Sequence, residues 1–421
     1  MDRGRWQAGI IYLAITGFGG LFFSTAFTVA AVYRVRSAGL DPFQLVLLGT
    51  ALEAAIFLCE IPTGVVADTI SRRWSVITGY ALIGSGLALE GAFASFLPIL
   101  GAQAIWGLGY TFTSGAEAAW LADEVGEERA AGLYLRGAQF GQIGSFIGIG
   151  LAVALASVRL NLPLLAGGVG FVALAIVLIA TMPENGFSPT PRGGRMTWAT
   201  LGGTLSEGVQ TVRQRPGIGI IFIIAGIFGA ASEAFDRLWE VHLLQIGLPD
   251  AGALDPIVWF GLLESVALML SIVAAEVVRR RAIAGDYRRT VRALLIINTA
   301  LLGTVVLFGL ASDFAVAAGA YWGVVLLRRL NAPLSVAWLN QGLDPRSRAT
   351  VLSMQSQSDA FGQVAGGPVL GAIASFTSIR LALVIAGLVL SPALWLYRRA
   401  GRQRLLPFEK SDAPLSSTSI Q

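Results

Sequence analysis

The sequence contains one cysteine, Cys59, and one histidine, His242. A single cysteine excludes an internal disulfide, and the two residue types are too few for the clusters that hold transition metals. The chain also lacks a Gly-Lys-Ser/Thr loop for nucleotide phosphates. We therefore expect neither an enzyme nor a protein that carries a metal or an organic cofactor.

Charge is scarce as well, since Asp, Glu, Lys and Arg make up 13% of the 421 residues. An ordinary soluble domain has roughly 25%. Hydrophobic residues make up 55%, and a water-soluble fold of this length could not bury so much apolar surface. The net charge of +4 is dispersed in short loops, which favours a protein of the lipid bilayer over one that binds nucleic acid.

Apolar runs long enough to cross a bilayer occur twelve times, because about 20 apolar residues span the hydrocarbon core. The predicted fold class is therefore an all-α integral membrane protein with twelve transmembrane helices. We number these helices α1 to α12, and they cover residues 9–32, 43–66, 74–94, 97–122, 133–156, 162–181, 216–241, 256–278, 291–311, 315–339, 350–375 and 379–397.

Basic residues predict the orientation of the helices. With both termini in the cytoplasm, the outer loops hold only Arg34, Arg36, Arg159 and Arg380, and the other loop and tail arginines lie inside. This asymmetry follows the positive-inside rule. We expect a multi-pass, N-in and C-in protein of a plasma membrane, the cytoplasmic membrane of a bacterium.

The longest connection joins α6 to α7 and divides the helices six and six. It opens with Pro183-Glu184-Asn185-Gly186, a composition typical of linkers. We expect one six-helix bundle at 1–181 and a second at 216–398. The cytoplasmic linker at 182–215 is predicted to contain an interfacial helix near 197–214, and the tail at 399–421 is predicted to be disordered.

The two predicted bundles resemble each other in sequence at offsets of 218 to 221. Around α5 and α11, Trp120-Leu121, Arg129-Ala130 and Phe140-Gly141-Gln142 recur as Trp338-Leu339, Arg348-Ala349 and Phe361-Gly362-Gln363. A looser match relates Asp41-Pro42 and Glu53 to Asp255-Pro256 and Glu264. Parallel six-helix repeats are a transporter architecture whose substrate site lies between the halves.

Between α2 and α3 the chain reads Gly64-Val65-Val66-Ala67-Asp68-Thr69-Ile70-Ser71-Arg72-Arg73. A glycine, an aspartate four residues later and then a basic pair resemble the signature loop of the major facilitator superfamily. The basic pair, Arg72 and Arg73, is expected to contact Asp123 at a neighbouring helix end. The resemblance covers nearly the whole chain, and it implies that the loop latches the halves with Asp68 at the start of α11. The alternative is a loop that only sets topology.

Exporter motifs of the superfamily fit only in part. Gln103 stands four residues before Gly107 in α4, where proton-driven exporters carry an arginine. The Gly-Pro pair of drug:proton antiporters is absent from α5, and a Gly-Gly-Pro stretch occurs in α11 at 366–368 instead. The sequence therefore resembles the drug and small-molecule exporter branch only in part.

Ionisable residues inside predicted spans are costly and are therefore candidate functional sites. Glu233, Asp236, Arg237 and Glu240 share one face of α7, where one arginine cannot neutralise three acids. Glu53 lies about 16 Å deep in α2, at a depth similar to that of Glu264 in α8. The alternatives are a structural gate network in α7 and a neutral, hydrogen-bonded glutamic acid in α2. The candidates for proton coupling are Glu53, Glu233, Asp236 and Glu264.

Charges on four other helices are expected to pair. Glu117 of α4 and Arg136 of α5 lie at similar depth near the inner face, which predicts a structural ion pair. On α10, Arg328 and Arg329 point about 100° apart, so they cannot share one partner equally. We expect Asp359 of α11 to pair with one arginine and the other to face the cavity.

The superfamily resemblance implies that α1, α4, α7 and α10 line a central cavity. An aromatic cavity suits an amphipathic, cationic solute, although such a stripe can also contact lipid. We expect proton-coupled export of small amphipathic molecules by a monomer, with H⁺ as the coupling ion. The alternatives are transport of an anionic metabolite held by an α10 arginine, and a non-transporting membrane sensor or assembly protein. The candidate cavity residues are Phe18, Phe22, Tyr110, Glu117, Phe235, Arg237, Arg328 and Arg329.

Overall fold

The computed structural model describes residues 3–189, 216–250, 252, 255–281, 287–340 and 348–403, and within these ranges the chain forms helices and no strands. The twelve predicted helices are confirmed, with ends shifted by a few residues. The predicted interfacial helix near 197–214 lies outside the described residues. The helices are α1 (Arg3–Phe27 and Ala30–Arg36), α2 (Pro42–Thr69), α3 (Arg72–Ala92), α4 (Phe96–Thr113 and Ala116–Val125), α5 (Glu127–Ala156), α6 (Leu162–Thr181), α7 (Pro216–Ile246), α8 (Val258–Arg281), α9 (Tyr287–Leu310), α10 (Phe314–Asn340), α11 (Arg348–Phe376) and α12 (Ile379–Val389 and Ser391–Gln403).

Eight of these helices are long and apolar enough, by length and composition, to cross a membrane: α1, α2, α5 to α9 and α12. Of the other four, α4, α10 and α11 carry polar side chains of the central cavity described below. A polar lining lowers the mean hydropathy of a helix without removing it from the bundle, because irregular and polar groups are tolerated where they face a cavity.

Local signals explain where several helices begin and break. Asp41 and Gln44 form a capping box at the start of α2, with the Gln44 N–H donating to Asp41 Oδ1 at 3.0 Å. Gly115 interrupts α4 because its φ of +73° is not helical. Residues other than glycine rarely adopt this conformation. Gly126, with a φ of +86°, joins α4 to α5 in a one-residue turn.

The same helices pack together in each half. α1 packs on α5, and α7 packs on α11 in the same way. Gly20 lies against the Gly141 backbone, and Gly362 lies against the Gly226 backbone, so closely that a Cβ on Gly20 or Gly362 would overlap a carbonyl group. Gly141 and Gly362, which the sequence repeat relates, therefore both lie in a close helix contact.

Two contacts between the halves lie at one face of the molecule. We call the face on which α1 begins and α12 ends the terminal face, and the opposite one the distal face. At the distal face, the Phe43 N–H donates to Ser375 Oγ at 2.8 Å, joining α2 to α11. Gly261 of α8 packs against Val153 of α5, near the distal ends of both helices. Which face is cytoplasmic stays a prediction.

Candidate functional site

A central cavity of about 720 Å³ lies between the halves. Residues of α2, α4, α7, α10, α11 and α12 line it, from the parts of these helices that lie toward the terminal face. Because the halves meet at the distal face, the cavity lies on the terminal side of that contact. Its volume falls within the roughly 300–1,000 Å³ of small-molecule sites.

The cavity wall combines aromatic and polar residues. Trp106 and Tyr110 of α4 and Phe228 of α7 contribute rings. Gln355 and Ser356 of α11 contribute an amide and a hydroxyl. This combination can hold an apolar body while hydrogen-bonding a polar group at its edge. Among the predicted cavity residues, Tyr110 and Arg328 lie in this lining.

Arg328 of α10 forms a bidentate ion pair with Asp236 of α7. Its Nη1 and Nη2 donate to the two carboxylate oxygens at 2.5 and 3.0 Å. The guanidinium carbon also lies 5.6 Å from the ring centre of Phe228. The expected pairing with Asp359 is therefore corrected, since Asp359 accepts a hydrogen bond from Gln363 at 2.9 Å instead. The carboxylate that meets Arg328 therefore comes from Asp236 of α7 and not from Asp359 of α11.

Glu233 and Arg237 form a second pair, one helical turn apart on α7. Arg237 Nε donates to Glu233 Oε1 at 2.9 Å, and the Glu233 side chain is 1% exposed. Gly49 of α2 lies so close that a Cβ there would overlap both side chains. The pair is thus at the contact between the halves, and Arg237, a predicted cavity residue, is not in the lining.

Glu53 of α2 joins this group rather than standing alone. It lines the cavity and interacts electrostatically with Glu233, Arg237 and Asp359. The cluster of Glu53, Glu233, Asp236 and Asp359 with Arg237 and Arg328 therefore has four carboxylates and two guanidinium groups, an excess of two acids (4 − 2). We call this set the central charge cluster. Within the described ranges, no group of His, Cys, Asp and Glu is arranged to hold a metal ion.

The expected Glu117–Arg136 ion pair does not form. Glu117 instead accepts a hydrogen bond from the Tyr80 hydroxyl at 2.7 Å, in the contact between α4 and α3. Arg136 is exposed on α5, on a face that does not meet Glu117. α4 and α5 do meet at this level, since the Tyr134 hydroxyl donates to Ala118 O at 2.8 Å, so it is rotation about the helix axes that separates the two side chains. Glu117 also lies outside the cavity lining.

The aromatic residues predicted on α1 and α7 also lie elsewhere. Phe18 and Phe22 stack on each other with ring centres 5.9 Å apart, and Phe22 packs on Phe171 of α6. Phe235 is buried against Phe308, with ring centres 5.2 Å apart. None of these three predicted residues lines the cavity. Phe235 instead makes a cation–π contact with Arg328, whose guanidinium carbon lies 5.7 Å from the centre of the Phe235 ring.

The sequence mates Glu53 and Glu264 have different surroundings. Glu264 accepts a hydrogen bond from the Tyr321 hydroxyl at 2.9 Å and lies outside the cavity lining. Arg329 is exposed and interacts electrostatically with Glu264, so it turns away from the cavity. Of the two mates, only Glu53 belongs to the central charge cluster.

The signature loop is bound within the N-terminal half. Arg72 contacts the Asp123 carboxylate, as expected, and its Nη2 donates to Asp68 Oδ1 at 3.2 Å. Arg73 contacts Ile179 O of α6 instead of Asp123. A Cβ on Gly64 would meet no atom within 4 Å, so no close helix contact depends on this glycine here. The side chains of residues 348–350 at the start of α11 lie outside the described residues, so the latch stays a prediction.

Sequence reasoning missed a buried pair in the N-terminal half. Arg34 Nε donates to Glu90 Oε1 at 2.7 Å, and Gln103 Nε2 donates to the other oxygen at 2.6 Å. The apolar run ends near residue 32 and therefore predicts an outer loop at Arg34, but α1 continues to Arg36. A second missed contact joins the halves, since Gln357 of α11 donates to Glu60 of α2 at 3.1 Å.

Twelve helices in two packed halves, with a central cavity and charges at the contact between the halves, define a multi-pass membrane transporter. The sequence profile of the Major Facilitator Superfamily matches residues 13–327, and the chain belongs to this family. The chain is also 22% identical over 395 residues to the uncharacterized MFS-type transporter YxaM of Bacillus subtilis (strain 168), covering 91% of this chain and 94% of that protein.

Solved transporter structures share the fold. A bacterial homolog of the human lysosomal transporter Spinster, inward-facing and unoccupied, matches with a TM-score of 0.73 at 15% identity, covering 96% of this chain and 98% of that one. The nucleoside transporter NupG gives 0.73 at 14%, covering 96% and 100%. The peptide transporter POT in complex with sulfate gives 0.69 at 18%, covering 94% and 95%. At these identities the likeness shows the fold alone.

Proposed function

We propose that this transporter exports small amphipathic molecules in exchange for protons by alternating access. The observation that carries the proposal is the central charge cluster, in which four carboxylates face two arginines at the contact between the halves. An uncompensated carboxylate inside a membrane is costly, and binding a proton removes its charge. The cluster therefore supplies what proton coupling needs, an acid whose charge state matters to the packing around it.

The cluster also spans the two halves, which links protonation to movement. Glu53 is on α2, whereas Glu233 and Asp359 are on α7 and α11. Rocking of one half against the other changes the distance from Glu53 to the other acids, and a ligand shifts an equilibrium only by its differential affinity for the two states. A proton on Glu53 relieves repulsion in the arrangement where the acids are close. Glu53 is therefore the first candidate for the proton-coupling carboxylate, and Glu233 is the second.

The cavity favours an amphipathic cargo over an anionic metabolite. Its rings and its volume suit an apolar body with a polar or cationic group. Arg328, the expected clamp for an anion, directs both terminal nitrogens at Asp236. Arg329 lies outside the lining. The residues that an anionic cargo would require are thus already paired or turned away.

Transport into proteoliposomes with an imposed pH gradient tests the proposal against a panel of amphipathic cations and anions. Glu53→Gln and Glu233→Gln should each abolish uphill, gradient-driven movement, because a permanently neutral side chain cannot carry a proton. Downhill exchange should survive, since it needs only the rocking of the halves. Glu117→Gln is the matched control, because it neutralises a carboxylate outside the cluster and should keep both modes.

Two outcomes would count against the proposal. Full gradient-driven transport by both cluster variants would remove these residues as the coupling site. Loss of both modes together would indicate a structural gate at the contact between the halves, because its removal alters opening itself.

A further inference from the structure

A second cavity, of about 560 Å³, lies between α1 and α5 at the terminal-face end of the N-terminal half. We call it the basic groove. Three arginines and one carboxylate line it, which gives a net charge of +2 (3 − 1). Its apolar wall includes the large side chains of Trp6, Ile10 and Leu133. The charged residues of the basic groove are Arg5, Arg129, Arg136 and Glu128.

Within the described part of the chain, the three arginines have no protein partner. All three are exposed, and among the described residues none of them makes an ion pair within 4.0 Å or a hydrogen bond. Arg136 stands nine residues after the start of α5, about 14 Å along the helix. A guanidinium at that depth is costly unless it reaches water or an anion. The groove thus presents unsatisfied positive charge close to the edge of the hydrocarbon region.

The groove opens on the outward side of α5 and not on the central cavity. Gly144 of α5 packs against the Gly17 backbone of α1, and Val153 of α5 packs against Gly261 of α8. A third face of α5 carries Arg136, and no residue of this groove belongs to the central cavity lining. Exposed apolar residues continue the same stripe toward the distal face at helical spacings of four, three and four: Phe140, Ile143 and Ile147, which are 48%, 59% and 57% exposed.

We propose that the basic groove binds an anionic phospholipid. The phosphodiester lies among Arg5, Arg129 and Arg136, and one acyl chain follows the apolar stripe of α5. Basic pockets between transmembrane helices bind anionic head groups, and arginine matches phosphate oxygens in a bidentate manner. Trp6, which is 62% exposed, lies at the level where amphipathic rings favour the membrane–water boundary.

The apolar stripe distinguishes a lipid from a free phosphate. A soluble phosphate would satisfy the arginines but would leave the adjoining stripe unused, whereas a phospholipid covers both. The site lies within one half, on α1, α5 and the end of α4, so it depends neither on the substrate nor on the coupling ion.

Native mass spectrometry of the purified full chain tests this site with two lipids that share the same acyl chains. Detergent-solubilised protein receives equal amounts of dioleoyl phosphatidylglycerol, which is anionic, and dioleoyl phosphatidylcholine, which is zwitterionic. We expect the phosphatidylglycerol adduct to dominate. We also expect sn-glycerol 3-phosphate, a head group without chains, to leave that adduct in place at equal concentration.

Variants separate the groove from general surface charge. Arg129→Gln with Arg136→Gln should reduce the preference about thirtyfold, because each arginine near anionic lipid contributes about 1 kcal/mol and 1.4 kcal/mol is a factor of ten. Arg292→Gln with Arg402→Gln is the matched control, since both arginines are exposed at the terminal-face ends of α9 and α12. This control removes the same charge and should keep the preference.

A steric variant tests the groove with every arginine retained. A Cβ on Gly132 meets no atom within 4 Å, so Gly132→Trp can place an indole in the groove without displacing the backbone. It should also lose the phosphatidylglycerol adduct. Equal retention of the two lipids by the unaltered protein, or retained preference in either groove variant, would overturn the proposal. Displacement of the lipid by sn-glycerol 3-phosphate would identify a soluble phosphate site in its place.

Discussion

Two arginine–carboxylate pairs inside the helical bundle differ in how exposed they are and in how many halves contribute to their surroundings. Arg34 and Glu90 are 7% and 1% exposed, and Gln103 satisfies the second carboxylate oxygen. All three residues belong to α1, α3 and α4 of one half. The Arg328 and Asp236 side chains are 24% and 43% exposed, beside acids contributed by both halves.

The difference indicates two uses of charge. The Arg34–Glu90 pair has both of its partners in one half, so it forms without the other half and contributes to folding. The central charge cluster is shared between the halves and keeps an excess of acid, so its energy depends on their arrangement. Substitutions in the two places should therefore separate stability from transport.

The largest loss of stability is expected for Arg34→Gln. It leaves Glu90 buried with only Gln103 as a partner, and breaking a buried ion pair on one side costs about 3–5 kcal/mol. Chemical unfolding of the purified protein in detergent measures the change. Arg36→Gln, two residues further at an exposed position, is the control and should be nearly neutral. Equal stability of the two variants would show that the buried pair contributes nothing to the fold.

A smaller loss is expected for Asp236→Asn, because the pair it breaks is partly exposed. Hydrogen bonds to charged groups contribute about 1.5–3 kcal/mol. Asp359→Asn should cost less than Asp236→Asn, since Asp359 accepts only from Gln363. Adding Arg328→Gln to Asp236→Asn should restore part of the stability in the same unfolding measurement. A larger loss for Asp359→Asn would instead support a pairing of Arg328 with Asp359.

The smallest loss of stability is expected for Asp68→Asn in the signature loop. Asp68 is 52% exposed on its side chain and pairs with Arg72 one turn away, a contact of about 0.3–0.5 kcal/mol. Transport should nevertheless fall if the loop latches the halves. Flux into vesicles, corrected for the amount of folded protein, measures this. Normal flux would mean that Asp68 has no role as a latch.

The position of a residue along its helix could be predicted from the sequence, but the direction in which its side chain points could not. Counting residues from a helix end placed Glu53 and Arg328 away from the helix ends, and both line the central cavity. The predicted partner of Arg328 was wrong because residue spacing does not indicate how a helix is rotated toward its neighbours. Arg34 was misplaced because the helix continues past its last apolar residue, and no pattern within α1 indicates that Glu90 of α3 lies opposite.

The close contact between α7 and α11 fixes an internal distance of the C-terminal half. Gly229 lies against the Asp359 backbone, and Gly362 against the Gly226 backbone, so neither helix can slide along the other without backbone overlap. Glu233 and Asp359 therefore belong to one rigid unit and keep a fixed separation when the halves move. A pair of spin labels on α7 and α11 should therefore give one separation, with or without a pH gradient. A pair on α2 and α7, which lie in different halves, should give two separations.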